Sequence, residues 1–190
     1  IMKKRTRMAL EIEIRPRQHS HPICSGCEKK GPGYDTLPVR WFQFVPLWGM
    51  AVFFLYGLRR VDCPRCGVKV ERVPWAQGKN HMTTTLAWFL ARWAKRLSWK
   101  ETAEAFQTTW DNVFRSVKMA VAWGLAHRNL ENVTAIGIDE ISWGKGPKYL
   151  TLVYQIDAGC RRLLWIGRER TQKTLRAFFE DFGQEATARL

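Results

Sequence analysis

Apolar residues change their spacing along this chain, and each change marks a different kind of element. From Trp41 to Leu58 (WFQFVPLWGMAVFFLYGL) the run is nearly all apolar, broken by Gln43 and Pro46. Its length reaches the lower limit for a membrane-spanning helix. Pro46, Gly49 and Gly57 weaken a helix, whereas Trp, Phe, Val and Tyr favour strands. The pattern therefore predicts two buried strands around a turn near Trp48-Gly49, with a membrane span as the rival. From Thr83 to Leu97 the period becomes helical, with Leu86, Phe89, Leu90 and Trp93 recurring on one side and Leu97 extending it. Ser98-Trp99-Lys100-Glu101 reads as a capping box that opens a second helix, Trp99 to Phe106, with Ala103 and Phe106 inward. Thr108-Thr109 caps a third helix, Trp110 to about His127, in which Val113, Val117, Val121 and Leu125 fall four apart.

From Val133 the spacing shortens again. Val133 to Glu140 is a β-type run ending in two acids, Gly144-Lys145-Gly146-Pro147 is a turn, and Tyr149 to Ile156 is a second strand. Asp157-Ala158-Gly159 turns into a third strand, Arg161 to Gly167. Thr171 caps a helix with Leu175, Phe178 and Phe179 apolar, ending near Phe182-Gly183.

The cysteines change the reading of the apolar run. Cys24-Ser25-Gly26-Cys27 and Cys63-Pro64-Arg65-Cys66-Gly67 are two C-x-x-C pairs. A two-residue spacer lets both thiolates of a tight turn face one ion, and two such turns complete a tetrahedral zinc site. Disulfides or inert thiols are the alternative, disfavoured in a chain with no secretory pattern. A closed four-thiolate site is structural, its role being to fold a module whose own core is small. A spanning helix between the pairs would hold them about 30 Å apart, so zinc and membrane readings exclude each other. His19 and His21 precede the first pair and are expected to be solvated, because four thiolates already saturate the ion. Cys160 has no partner in sequence.

Charge narrows the partner. The 190 residues carry 31 Lys+Arg against 17 Asp+Glu, a formal +14. Such an excess favours a polyanion, since neutralising phosphates releases counterions, although a membrane surface or an acidic protein would also satisfy it. The basic start, Lys3-Lys4-Arg5-Thr6-Arg7, leads into Ala9-Leu10-Glu11 and not into an apolar signal region, so a cytoplasmic location is the default. The first residue is Ile1, which suggests a non-Met start read literally or a missing upstream piece.

With nucleic acid as partner, the three helices between residues 83 and 127 read as a helix-turn-helix whose third helix enters the major groove. Asn112, Arg115 and Lys118 project away from the Val113/Val117 face. Asn and Arg can pair bidentately with base edges, and Lys suits a phosphate. The rival is an ordinary solvated face on a three-helix bundle.

Taken together, CSGC, CPRCG, the helix-turn-helix, IGIDEISWGKGPKYLTLVYQIDAG and TLRAFFEDFG resemble the zinc-ribbon transposases of the ISL-three insertion-sequence family, over nearly the whole chain. The resemblance implies that β-β-β-α is the beginning of a ribonuclease H-like core, and that Asp139 is the first acid of a DDE triad. In such a core, two divalent ions, typically Mg²⁺, clamp the attacking and leaving oxygens. Glu140 faces the other side of its strand and is not assigned to the ions. Asp157 lies about six residues, or roughly 20 Å, from Asp139 across an antiparallel pair and is expected to be a turn residue. The family's second Asp falls on the strand that would follow Leu190, so the catalytic core is expected to be incomplete and enzymatic activity of this chain is left open.

The expected fold class is therefore α+β and multidomain. A zinc ribbon with a basic N-terminal arm spans 1–78, a helix-turn-helix region 79–130, and the start of a DDE core 131–190. The expected function is that of the DNA-binding N-terminal portion of an insertion-sequence transposase. It would recognise double-stranded terminal inverted repeats, with structural Zn²⁺, no membrane partner and an oligomeric state left open. The alternative is a stand-alone zinc-ribbon/helix-turn-helix transcriptional regulator.

Overall fold

In the computed structural model, residues 9–78 and 80–190 are described, and they form an α+β chain of two compact units, one through Ala126 and one from His127 to Leu190. The basic residues 3–7 lie outside the described residues.

The apolar run folds as a hairpin. Strand β3 (Arg40–Leu47) pairs antiparallel with β4 (Met50–Tyr56), and Trp48 and Gly49 make the turn with φ of 49° and 76°. Two successive positive φ values suit the twist of a two-residue hairpin loop. A strand that periodicity gave no sign of, β1 (Ala9–Glu13), adds parallel to β4 and completes a sheet of order β1-β4-β3. A separate sheet, β2-β5-β6, is built from β2 (Gly33–Thr36), β5 (Arg59–Cys63) and β6 (Gly67–Val70). The cysteine-bearing hairpin is thus β5–β6, and the apolar hairpin sits in the other sheet. Among the described residues, no helix is long and apolar enough to cross a membrane.

Helix α1 (Thr84–Trp93) starts where Thr83 accepts a hydrogen bond from the Leu86 amide, and it stops four residues before Leu97. Helix α2 (Trp99–Ala105) carries both halves of its capping box: the Glu101 amide donates to Ser98 Oγ at 3.3 Å and the Ser98 amide to Glu101 Oε2 at 2.8 Å. Helix α3 (Trp110–Ala126) packs on α1 and α2 around Met82, Leu86, Ala87, Leu90, Ala103 and Val113. Its inward face differs from the four-apart ladder. Val113 and Ser116 are buried, whereas Val121 and Leu125 are 55% and 56% exposed. Each four-residue step overshoots a helical turn by about 40°, so three steps carry a side chain roughly 120° off the contact stripe.

The interruption at Gln43 is what joins sheet to helices. Gln43 is 6% exposed, its backbone bonds to His81 O and from the Thr83 amide, and its Nε2 donates to Gln107 O at 3.0 Å. Gln107 Nε2 in turn donates to Gly49 O at 3.0 Å, fixing the hairpin tip against the α2–α3 turn. Gln43→Leu leaves the Gln107 carbonyl without that donor. It is expected to destabilise the first unit by about 1–3 kcal/mol, read from urea midpoints.

The second unit is a β7-β8-β9 sheet, all antiparallel, from β7 (Ile136–Ser142), β8 (Tyr149–Gln155) and β9 (Arg162–Arg168). Thr171 caps α4 (Gln172–Phe182), Gly183 ends it at φ 89°, and a short α5 (Gln184–Thr187) follows. Val133, Val153, Leu164, Phe178, Phe182 and Ala186 make its core. Gly167 is required where β9 meets α4, since a Cβ there would lie 2.4 Å from the Thr174 methyl.

Candidate metal centre and nucleic-acid interface

Two tight turns bring the four thiols together. In the first, the Cys24 amide donates to Lys29 O at 2.8 Å and the Gly26 amide points at Cys24 Sγ at 3.4 Å. A Cβ on Gly26 would approach Cys66 Sγ to 3.1 Å, so glycine allows the two turns to close. The second turn joins β5 to β6 through Cys63 opposite Gly67, which adopts φ 68°. Backbone bonds from Ser25 N to Val70 O and from Arg72 N to Ile23 O clamp one turn to the other.

As a result Cys24, Cys27, Cys63 and Cys66 have sulfurs that all lie within 4.8 Å of one another, with Cys27 and Cys63 at 3.5 Å. Four thiolates placed tetrahedrally about 2.3 Å from an ion lie about 3.8 Å apart. The donor set therefore fits a single thiophilic metal ion. The thiols differ before an ion binds: the Arg65 and Cys66 amides draw Cys63 down to about 7, while burial and the neighbouring thiols push Cys66 up to about 12. His19 and His21 are exposed and outside this cluster, and Cys160 lies elsewhere, its thiol on Gln155 Oε1.

Against the cysteine cluster lies a polar network that the sequence pattern does not signal. Glu71, 6% exposed, pairs its backbone with Cys24. Its carboxylate accepts from Tyr56 OH at 2.7 Å, from the Arg59 amide at 2.7 Å, and from Arg59 Nε and Nη2 at 3.0 and 2.8 Å. Arg59 Nη1 continues to Ser20 O at 2.8 Å. Burial, and next the Glu71 carboxylate, push Tyr56 up to about 12, so the phenol stays a donor.

On α3, Arg115 and Lys118 are exposed together, with Arg115 in an i,i+4 ion pair with Asp111 at 2.6 Å. Asn112 is turned back: its Nδ2 donates to Thr108 Oγ1 at 3.0 Å and its amide to Thr109 Oγ1 at 3.2 Å, supporting the helix start.

Asp139 is exposed in the middle of β7, opposite Leu152, and its Oδ1 accepts from the Glu140 amide at 2.8 Å. Glu140 is opposite Thr151 and so on the other face of the sheet. Asp157 is at the far end of the β7–β8 pair, accepting from the Thr134 amide and from Gln155 Nε2 at 2.7 Å. Bonds from Thr134 and Gln155 hold its pKa below the usual carboxylate value, as suits a turn-locking carboxylate. Among the described residues no other acid joins Asp139 in a metal-binding group.

A family model for ISL3-type DDE transposases matches residues 136–190, the unit that carries Asp139. The transposase for insertion sequence element IS1557 of Mycobacterium tuberculosis is 31% identical over 186 residues, covering 93% of this chain and 40% of that protein. The transposase for insertion sequence element IS1001 of Bordetella parapertussis is 26% identical over 169 residues, covering 88% of this chain and 41% of its own. The chain thus spans about 40% of the length of the curated relatives it matches. No solved structure matches. Residues 136–190 thus match the ISL3 transposase family, and 93% of the chain is similar to an insertion-sequence transposase.

Proposed function

We propose that this chain is the DNA-recognising portion of an insertion-sequence transposase, reading the terminal inverted repeats of its element and carrying the first carboxylate of the nuclease core. The observation that carries this reading is the relation to transposases over 93% of the chain. Supporting it are the +14 charge and the exposure of Arg115 and Lys118 on α3. In this reading the cysteine cluster holds Zn²⁺ as a structural ion, and residues 83–127 act as a helix-turn-helix with α3 as the major-groove helix. Arg115 reaches a base edge and Lys118 a phosphate. Asn112 supports the start of α3 and contributes less than Arg115, because its amide group already bonds Thr108.

Asp139 is proposed as a ligand to a divalent ion such as Mg²⁺. One carboxylate does not hold two ions, so phosphodiester chemistry requires further acids beside it, and no step is assigned to this chain alone. A stand-alone regulator would leave the match of residues 136–190 to a transposase model without a reason.

The test is Arg115→Ala. The Asp111–Arg115 pair is exposed and contributes little to stability, so the variant should fold. Binding to an inverted-repeat duplex is expected to weaken by about 1–3 kcal/mol, with a smaller change on unrelated duplex. Lys118→Ala should weaken both duplexes equally and reduce the salt slope by about 0.9. Unchanged affinity of Arg115→Ala across several salt concentrations would remove α3 from the interface.

A further inference from the structure

The sheet of the second unit has one face covered by α4, where Val153, Leu164 and Trp165 meet Phe178 and Phe182. Asp139 is on the opposite face, in line across the strands with Leu152 and Ile166. Alternation along β7 puts Ile141 on that same face, and Trp143 follows one step beyond the strand end. The ladder continues there, since the Trp143 amide donates to Lys148 O at 3.1 Å. Lys148 Nζ sits over the Trp143 ring, 5.7 Å from its centroid, so the two side chains share a face. Arg168, opposite Leu150 on β9, lies on it too. Lys145 is in the connecting turn, whose geometry is held by Gly146 at φ 83° and by the Lys148 amide on Gly146 O at 2.8 Å.

This rim sets cations around an exposed indole. Among the described residues no acid pairs with Lys145, Lys148 or Arg168. Trp143, in their midst, is 57% exposed. Uncompensated cations around an exposed indole are the elements of a single-strand site: the cations follow phosphates and the ring stacks on an unpaired base. A paired base inside a duplex has no free face to offer such a ring. Trp143 stands four residues from Asp139, about 13 Å along the strand.

We infer that Trp143, Lys145, Lys148 and Arg168 form a platform for single-stranded DNA flanking the element end, a few nucleotides from the phosphate that Asp139 addresses. The inference rests on the transposase reading for the identity of the DNA, and on the geometry of this face for the site. Trp143 stacks one unpaired base, and the three cations hold the phosphates to either side. Asp139 takes no part in holding the flank.

The experiment uses the full chain with three probes: a blunt element-end duplex, the same duplex with a short single-stranded flank, and oligothymidylate. The flank is expected to raise wild-type affinity on the order of tenfold, within the range of one base–aromatic stack. Trp143→Ala should abolish that gain, leave blunt-duplex binding unchanged and keep the wild-type circular dichroism spectrum and melting profile. Trp143→Phe should retain most of the gain. Lys145→Ala and Lys148→Ala should each reduce the salt slope for oligothymidylate by about 0.7. No gain from the flank in wild type, an intact gain in Trp143→Ala, or an equal gain from a double-stranded extension overturns the platform. Loss of blunt-duplex preference with Trp143-dependent oligothymidylate binding retained would instead overturn the α3 reading and leave the platform standing.

Discussion

Cys24→Ser, or chelation of the metal, is expected to unfold the β2-β5-β6 sheet and take cooperative unfolding of the first unit with it. That sheet has almost no core of its own: its buried cluster is Cys24, Val61 and Cys63. Val68 and Val70 on β6 are exposed, so side-chain burial cannot hold the third strand. Apparent binding energies of structural Zn²⁺ in small modules reach about 10–16 kcal/mol at neutral pH, comparable to the whole stability of an ordinary domain, about 5–15 kcal/mol. The measurement is metal content beside thermal unfolding. Wild type should carry about one equivalent of zinc, as a four-thiolate site binds one ion. Cys24→Ser should carry little and lose the transition. A metal-free chain with an unchanged midpoint would contradict the structural role of the cluster.

Glu71→Ala should be the most damaging substitution outside the cysteines. It leaves the Arg59 guanidinium, whose side chain is 20% exposed, and the Tyr56 hydroxyl without their acceptor. Removing one member of a buried pair costs about 3–5 kcal/mol, mostly the penalty of the charge left behind. Adding Arg59→Met to Glu71→Ala should recover part of that loss, because it removes the stranded charge. Urea unfolding of the two single variants and the double gives the coupling directly. A loss below about 1 kcal/mol in Glu71→Ala would place this network with surface ion pairs.

The contrast between these two sites shows what a sequence pattern can carry. The cysteine cluster was legible because chemistry constrains spacing: C-x-x-C is a common short way to aim two thiolates at one point. The capping box at Ser98 and Glu101 and the turn at Trp48-Gly49 were legible for the same reason, since local geometry demands particular residues. Glu71 was not. In Gly67-Val68-Lys69-Val70-Glu71 the alternation reads as valines inward and charges outward, yet the valines are exposed and the glutamate is buried. The inversion comes from partners distant in sequence, Tyr56 and Arg59, that no local period reveals. Strand β1 was missed likewise: all five of its residues are exposed, and its pairing with β4 is decided by backbone bonds. On α3, the four-apart valines suggested a longer buried face than a straight helix can present to one neighbour. Asp139 is the opposite case. Its surroundings, an exposed carboxylate bonded to the next amide, do not single it out, and its assignment rests on the family motif around it.

The most direct test of DNA-end recognition is a titration of the zinc-loaded chain with a duplex of the element's terminal repeat and one of scrambled sequence, at near-physiological salt. The expected result is a preference for the terminal repeat on the order of a thousandfold, as for other sequence-specific proteins, and its loss on chelation. Equal affinity for the two duplexes, or a preference that survives complete removal of the metal, would contradict it.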